Sequence, residues 1–258
     1  MIRIKSAEEI EILKIGGARH AFILRELAKM VVLGVSTLDL ENAARNLLAE
    51  QGDIGAFLNY KPHGAPRPYP AVLCVSVNDE IVHGIPNELP RILQEGDVVS
   101  LDLGVTHEKL ITDAAITVGV GAISEENRKL IEHCKEALYI GIKAARGGVK
   151  VQEVGRAIEN FAREKGLNLC EGLSGHGVGY AVHEDPFVPN VPDPTQRDVL
   201  KPGMVVAIEP MMTFGTSRTI AMPDGYTYKT ADGSIAAHFE HTVVITDGEP
   251  VIVTKLFL

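Results

Sequence analysis

Apolar residues first recur at helical spacing. Ile10, Leu13, Gly17, Leu24, Leu27 and Val31 fall on one face. Ser6-Ala-Glu-Glu9 in front of them has the form of a capping box, in which hydroxyl and carboxylate satisfy free N–H groups. The pattern predicts a helix from there, ended by Gly34. A second helix is expected from Thr37 or Leu38 to Gln51, with Gly52 behind it. The Val-rich run Ala71 to Asn78 reads as a strand, and Asp97 to Gly119 as a hairpin. A third helix is expected over Ser124 to Ala145, with Leu130, Ile131, Cys134, Leu138 and Ile142 on one face and Gly147-Gly148 closing it. A fourth covers Val151 to Lys165, ended by Gly166. The last third turns to strand and loop: Gly172 to Tyr180, Met204 to Ile208, and a hairpin turned at Asp247-Gly248.

Each half therefore holds a strand region and two helices, a mixed α/β (α+β) pattern. Two such halves facing each other would leave a cleft. No linker interrupts the chain, so residues 1–258 are expected to form a single domain, although the length lies at the upper end for one. The Pro-rich stretch Lys61 to Pro70 is too short to be a hinge.

Composition removes several classes of function. Net charge is −9, which argues against a broad basic face for nucleic acid. Cys74, Cys134 and Cys170 are odd in number, far apart and form no C-x-x-C pair, so neither a disulfide scaffold nor a zinc knuckle is indicated. With no apolar signal segment after Met1 and no apolar run long enough to cross a bilayer, a cytoplasmic protein off the membrane is expected. Nothing argues for an oligomer, and a monomer is the default.

The chemistry-bearing residues stand out against apolar surroundings. Asp102 interrupts Val98-Val-Ser-Leu-Asp-Leu-Gly-Val105, and Asp113 sits in the partner run Leu110-Ile-Thr-Asp-Ala-Ala-Ile-Thr117. A carboxylate in a buried strand is costly unless it is paired or binds metal. A tight turn at His107-Glu108 would set the two aspartates directly opposite each other on one face, where like charges need a cation between them. Either aspartate alone could face solvent or cap a turn; the pair is harder to dismiss. His176 lies in Gly172-Leu-Ser-Gly-His-Gly-Val-Gly-Tyr180, whose glycines leave its imidazole open to a cleft. No strand and helix flank that run as a dinucleotide fingerprint requires. Glu209 ends the strand Met204-Val-Val-Ala-Ile-Glu-Pro210, stopped by its proline, and Glu240 opens His238-Phe-Glu-His-Thr-Val-Val-Ile245. Singly, each glutamate could be a strand cap or an edge residue. Together, four carboxylates and one imidazole without a thiolate suit two divalent ions of the Mn, Fe, Co or Zn kind. Such paired ions lie ~3.5–4 Å apart in hydrolases that activate a shared water.

At these residues the chain resembles the type I methionine aminopeptidases over nearly its whole length. The matching segments are Ser76-Val-Asn-Asp-Glu-Ile-Val-His-Gly-Ile-Pro86, Asp102 with Asp113, Ser174-Gly-His-Gly-Val-Gly179 with His183, Ile208-Glu-Pro-Met211, and Phe239-Glu-His-Thr242. The resemblance implies the pita-bread fold, of two pseudo-symmetric halves with antiparallel sheet covered by helices. It implies removal of the first methionine from nascent polypeptide N-termini when the second residue is small. Asp102 would bind one metal, Asp113 and Glu240 would bridge two, and His176 and Glu209 would complete the second. His83 would contact the substrate near its amino end, His183 would hydrogen-bond the scissile carbonyl, and Glu209 would move a proton. Tyr69, Cys74 and Tyr226 fall where the methionine pocket is expected. Three features depart from the family pattern: Tyr60 to Pro70 is longer and richer in proline, Tyr226 stands where a Trp is common, and Leu173 where Met, Phe or Tyr is common. These bear on side-chain selectivity and leave the ligand set whole.

Two other readings remain to be weighed. Proline-directed peptidases share the ligands but usually carry a large N-terminal domain, whereas here about eighty residues precede His83. A binding module that has lost activity has no reason to keep five costly polar groups. No zinc-finger extension precedes the catalytic part, so any ribosome contact would be transient and made by the domain itself.

Overall fold

A computed structural model describes residues 2–255. Helix α1 (Ala7–Met30) opens as the sequence indicates: the Ser6 hydroxyl accepts from Glu9 N at 3.2 Å and Glu9 Oε2 accepts from Ser6 N at 2.7 Å. It stops before Gly34, contrary to expectation. Gly34 N donates to Leu93 O at 2.9 Å and Leu93 N donates to Val35 O at 2.8 Å, so pairing with the segment around Leu93 draws the chain out of the helix. Gly34 (φ 86°) turns within that connection. Helix α2 (Thr37–Gln51) carries a second capping box, Ser36 with Asp39, and ends on left-handed Gly52. Helices α3 (Glu125–Ala144) and α4 (Gln152–Glu164) follow the predicted bounds closely.

The long hairpin, strands Val98–His107 and Leu110–Gly119, is the axis of the main sheet. On its outer side Leu73–Val77 pairs antiparallel with Val98–His107. On its inner side Leu110–Gly119 meets Glu240–Val244, which continues through Val205–Ile208 and Ser174–Gly177 to Glu184–Pro189. The sheet thus joins residues of both halves of the chain edge to edge. Helices α1 and α2 pack on the strands of the first half, α3 and α4 on those of the second. The predicted final hairpin is present, with Val244 opposite Val251 across the Asp247-Gly248 turn.

One register differs from the expectation. The hairpin turns at Glu108 (φ 45°) and Lys109 (φ 72°), so His107 pairs with Leu110. Two consecutive positive φ values make the primed turn that matches strand twist. Asp102 therefore lies opposite Ala115, and Asp113 opposite Gly104; the aspartates are diagonal neighbours. A register change of two residues keeps both on the same face, because side chains alternate with period two. The shared face survives the correction, while direct opposition does not.

Two buried polar anchors hold the helices to the sheet. Glu41 of α2 accepts from Val72 N at 3.0 Å and Leu73 N at 2.9 Å and pairs with Arg45 at 2.6 Å, tying the helix to the edge strand. His20 of α1 and His241 of the strand Glu240–Val244 sit below the sheet, where Nδ1 of each meets a threonine hydroxyl, Thr112 at 3.0 Å and Thr254 at 3.1 Å. Burial drives the pKa of His20 down to about 3 and that of His241 to about 4.

These depressed values set a pH dependence. The folded state holds both rings neutral, whereas the unfolded chain takes up protons below pH ~6.5. Their contribution is intact above that pH and is lost as pH falls toward 4 and then 3. Substitution His241→Gln removes one of the two titrations. The stability gap between the native protein and this variant is expected to narrow from pH 6.5 to pH 5, by roughly 1.4 kcal/mol per pH unit. Parallel denaturant titrations check it; a gap independent of pH would show that His241 does not titrate on unfolding.

Candidate metal centre

Three adjacent strands converge on one row of the sheet. Asp102 faces Ala115 across one ladder, and Ala115 faces Glu240 across the next. Opposed residues share a face, so Asp102 and Glu240 flank the small Ala115 on the same side, with Asp113 two positions along. Thr242, two residues beyond Glu240, locks this register: its hydroxyl donates to Asp113 O at 2.7 Å and accepts from Asp113 N at 2.7 Å. His176 enters from the next ladder, opposite Ala207, itself opposite Thr242. Gly175 beside it leaves room for this approach, since a Cβ there would stand 2.3 Å from Ala207 O. Glu209 follows directly on the strand Val205–Ile208, and Asn190 Nδ2 holds its carbonyl at 2.9 Å.

The donor atoms cluster without bonding one another. His176 Nε2 lies 3.3 Å from Glu209 Oε1 and 4.0 Å from Asp113 Oδ2. Ligands bonded at ~2.1 Å to one ion stand ~3.0 Å apart in octahedral and ~3.4 Å apart in tetrahedral geometry, and the shorter distance falls within that range. His176 Nδ1 meets Gly177 O at 2.9 Å, the outer bond that orients a ligating imidazole. Asp102 Oδ1, Asp113 Oδ1 and Glu240 Oε1 are buried with no hydrogen-bond partner among the described residues. Asp113, His176 and Glu240 present donor atoms close enough to hold one ion, as do Glu209, His238 and Glu240. The residues present fit divalent metal.

Electrostatics point the same way. Burial, with the charges of Glu209 adding to it, raises Asp102 to about 7, against the pull of His238. Asp113 is pushed well above the carboxylate range by burial and then by Asp102 and Glu209. Glu240 rises through burial and its three acidic neighbours, and Glu209 through burial. Four carboxyls here cannot all ionise without compensating positive charge. The histidines offer none: burial lowers His176 to about 3 and His83 to about 4, and lowers His183 as well.

All ten residues singled out from sequence line one cavity of about 500 Å³: Asp102, Asp113, His176, Glu209 and Glu240 with His83, His183, Tyr69, Cys74 and Tyr226. The ring centroids of His176 and His183 are 4.3 Å apart. His83 has φ 59°, a left-handed backbone that costs a residue with Cβ about 1–2 kcal/mol, and strain of this kind gathers at functional positions. Tyr69 packs edge-on against Tyr226 at 5.0 Å and Phe57 at 6.5 Å, and its hydroxyl donates to Gly84 O at 2.9 Å. Phe57, Tyr69, Cys74, Val182 and Tyr226 form one apolar cluster.

Three contributors were given no site role from the sequence, although Tyr60 to Pro70 stood out there as a departure from the family pattern. Tyr60 Oη lies 2.8 Å from His183 Nδ1, and nothing local to Tyr60 signals it. Pro62 to Pro66 roof the cavity, and Tyr226 Oη, bonded to the carbonyls of Tyr60 and Arg67, pins both ends of that roof. His238 was legible by alternation, two residues before Glu240.

Comparison with known proteins agrees with the geometry. Residues 11–247 match metallopeptidase family M24. The chain is 47% identical to a methionine aminopeptidase of Aquifex aeolicus over 99% of both chains, and 41% identical to methionine aminopeptidase 1 of Mycobacterium tuberculosis over 97% of this chain and 94% of that one. The crystal structure of a methionine aminopeptidase from Thermotoga maritima superposes with a TM-score of 0.93 at 39% identity, covering 99% of this chain and all of that one. An Xaa-Pro dipeptidase from Bacillus anthracis shares the fold, with a TM-score of 0.76 at 22% identity, but this chain spans 62% of it. The arrangement is the expected pita-bread fold. With most of its length matched and a buried ligand cluster at its centre, the chain belongs to metallopeptidase family M24.

Proposed function

We propose that this protein is a methionine aminopeptidase: one catalytic domain that hydrolyses the first peptide bond of nascent polypeptides with two divalent ions, Mn, Fe, Co or Zn. The observation that carries the reading is the placing of the acidic cluster, two histidines and an apolar aromatic pocket in one cavity. Asp102, Asp113, His176, Glu209 and Glu240 would hold the metal. Bound there, the ions supply Lewis acidity and lower the pKa of water.

The remaining chemistry belongs to side chains. The carboxylates favour a substrate end that carries a free amine. Phe57, Tyr69, Cys74, Val182 and Tyr226 offer apolar and aromatic surface to the first side chain, and a flexible thioether packs well on such walls. His83, fixed by its strained backbone, contacts the substrate near its amino end. The Tyr60 hydroxyl, 2.8 Å from His183 Nδ1, can donate to that nitrogen; the ring proton then sits on Nε2, from which His183 donates a hydrogen bond to the oxyanion as water adds to the carbonyl carbon. Glu209 takes the proton lost by that water and gives it to the departing nitrogen as the C–N bond breaks. The roof from Pro62 to Pro66 continues from Tyr60 over the same cavity, and the second residue is taken to be small.

Relatives named for proline substrates share this fold at 22% identity, whereas proteins named methionine aminopeptidases match at 47% and 39% over nearly the whole chain, which favours the methionine reading. No helix among the described residues is long and apolar enough to cross a membrane, and the three cysteines are unpaired. A monomer working in the cytoplasm, with at most a transient ribosome contact, fits the proposal.

Three outcomes are expected. Chelation abolishes methionine release from Met-Ala-Ser and added Mn, Fe or Co restores it; no release with two metals demonstrably bound would falsify the methionine reading. His183→Ala lowers kcat by roughly 10²–10³ with metal content unchanged, as loss of one oxyanion donor does; an unaltered kcat removes His183 from that role. Metal affinity depends on pH because Asp102, raised to about 7, must release its proton on binding. Asp113, Glu209 and Glu240 are raised in the same sense, so affinity is expected to fall as pH falls, about tenfold per pH unit for each proton displaced. Calorimetry at pH 6 and pH 8 in buffers of different ionisation heat reads those protons, and equal affinities with no proton release would contradict the shift.

A further inference from the structure

His238 lies against the metal centre, and the mechanism above gives it no task. Its backbone is fixed: N donates to Thr117 Oγ1 at 2.9 Å, and O accepts from the same hydroxyl at 2.7 Å. Its side chain is 1% exposed, and neither ring nitrogen has a hydrogen-bond partner among the described residues. Nε2 faces the carboxylates, 3.5 Å from Glu209 Oε2 and 4.0 Å from Glu240 Oε2.

Two imidazoles thus flank Glu209, one at each oxygen. His176 Nε2 stands at Oε1 and His238 Nε2 at Oε2. The two rings are equipped differently. His176 Nδ1 is anchored on Gly177 O at 2.9 Å, as a ligating imidazole needs. His238 Nδ1 has no such anchor. The carboxylate oxygen that shares an ion with His176 is then Oε1, and Oε2 is left as a buried acceptor with a ring nitrogen beside it. A movement of several tenths of an ångström brings the 3.5 Å contact into hydrogen-bond range, and catalytic contacts commonly tighten in this way when a site is filled.

We propose that His238 is a positioning residue for the metal centre: its Nε2–H donates to Glu209 Oε2 and reserves Oε1 for the ion shared with His176. The proposal rests on the reading of Asp113, His176, Glu209 and Glu240 as metal ligands. It assigns the ring a place outside the coordination sphere. Ligating carboxylates are themselves hydrogen-bonded, and loss of such an outer partner costs roughly 10- to 100-fold in metal affinity or activity.

The test compares the native protein with His238→Gln, which keeps an N–H donor, and His238→Leu, which fills similar space without one. Co(II) affinity and stoichiometry are measured by calorimetry, and imidazole ligands per Co are counted by X-ray absorption fine structure. Expected are a roughly 10- to 100-fold weaker affinity in His238→Leu, recovery of most of it in His238→Gln, and the same stoichiometry and imidazole count in all three. An imidazole count halved in either variant would make His238 a ligand and overturn the proposal. So would a His238→Leu protein that binds Co as tightly as the native one. Should His238→Leu fail to fold, His238→Gln decides: unchanged imidazole count with near-native affinity supports the positioning role, and a lost imidazole refutes it. Failure of the native protein to bind Co would instead bring down the metal-centre reading, which separates the two failures.

Discussion

Like charges crowded into a largely buried pocket constrain everything else in this protein. Four carboxyl groups project from one face of a sheet where two halves of the chain meet, and burial with mutual repulsion holds Asp102, Asp113 and Glu240 above their ordinary range. Hydrophobic strands position them, small residues such as Ala115 and Ala207 leave them space, and Thr242 locks the register between the central strands. Around that arrangement the histidines stay neutral. Such a centre is tolerable only with protons or cations in it, and the cations make it useful.

Much of this was legible in the chain because costly features leave clear marks. An aspartate inside an apolar strand, a histidine among glycines and a glutamate before a strand-ending proline are each out of place locally, and all five such residues line the cavity. The starts of α1 and α2 fell where expected, and Ser6–Glu9 and Ser36–Asp39 cap them. The misreadings arose where partners far along the chain decide. Gly34 does not end α1, because Leu93 pulls the chain away earlier. The hairpin turns one residue later than symmetry of the two aspartates suggests, because Glu108 and Lys109 adopt the left-handed conformations that the turn requires. The pairing of Tyr60 with His183 could not be read, since the two lie 123 residues apart.

The cavity divides its labour between rigid and adjustable parts. The clustered carboxylates and the His176 imidazole come from strands or their ends, where ladders fix each Cα. The aromatic wall and the roof come from the long connection between α2 and the strand Leu73–Val77, tied down by Tyr226, Arg67 and Asp224. Two of the three departures expected from the sequence, Tyr60 to Pro70 and Tyr226, fall in this second set, while Leu173 lines the cavity just before the strand Ser174–Gly177. Substrate range can therefore drift in this protein while the reacting centre stays as it is.

The linkage through Thr242 carries a kinetic meaning as well. Its hydroxyl meets the backbone of a residue 129 positions earlier, across the one seam where the halves of the sheet join. Contacts of such long sequence separation are entropically late events, formed after local helices and hairpins are in place. Until that seam closes, Asp102 and Asp113 stand apart from the imidazole and glutamates, and no partial chain assembles a complete set of donors. Uptake of a divalent ion would then time the last step of folding, and the metal would act as a clasp between two lobes that have already taken shape.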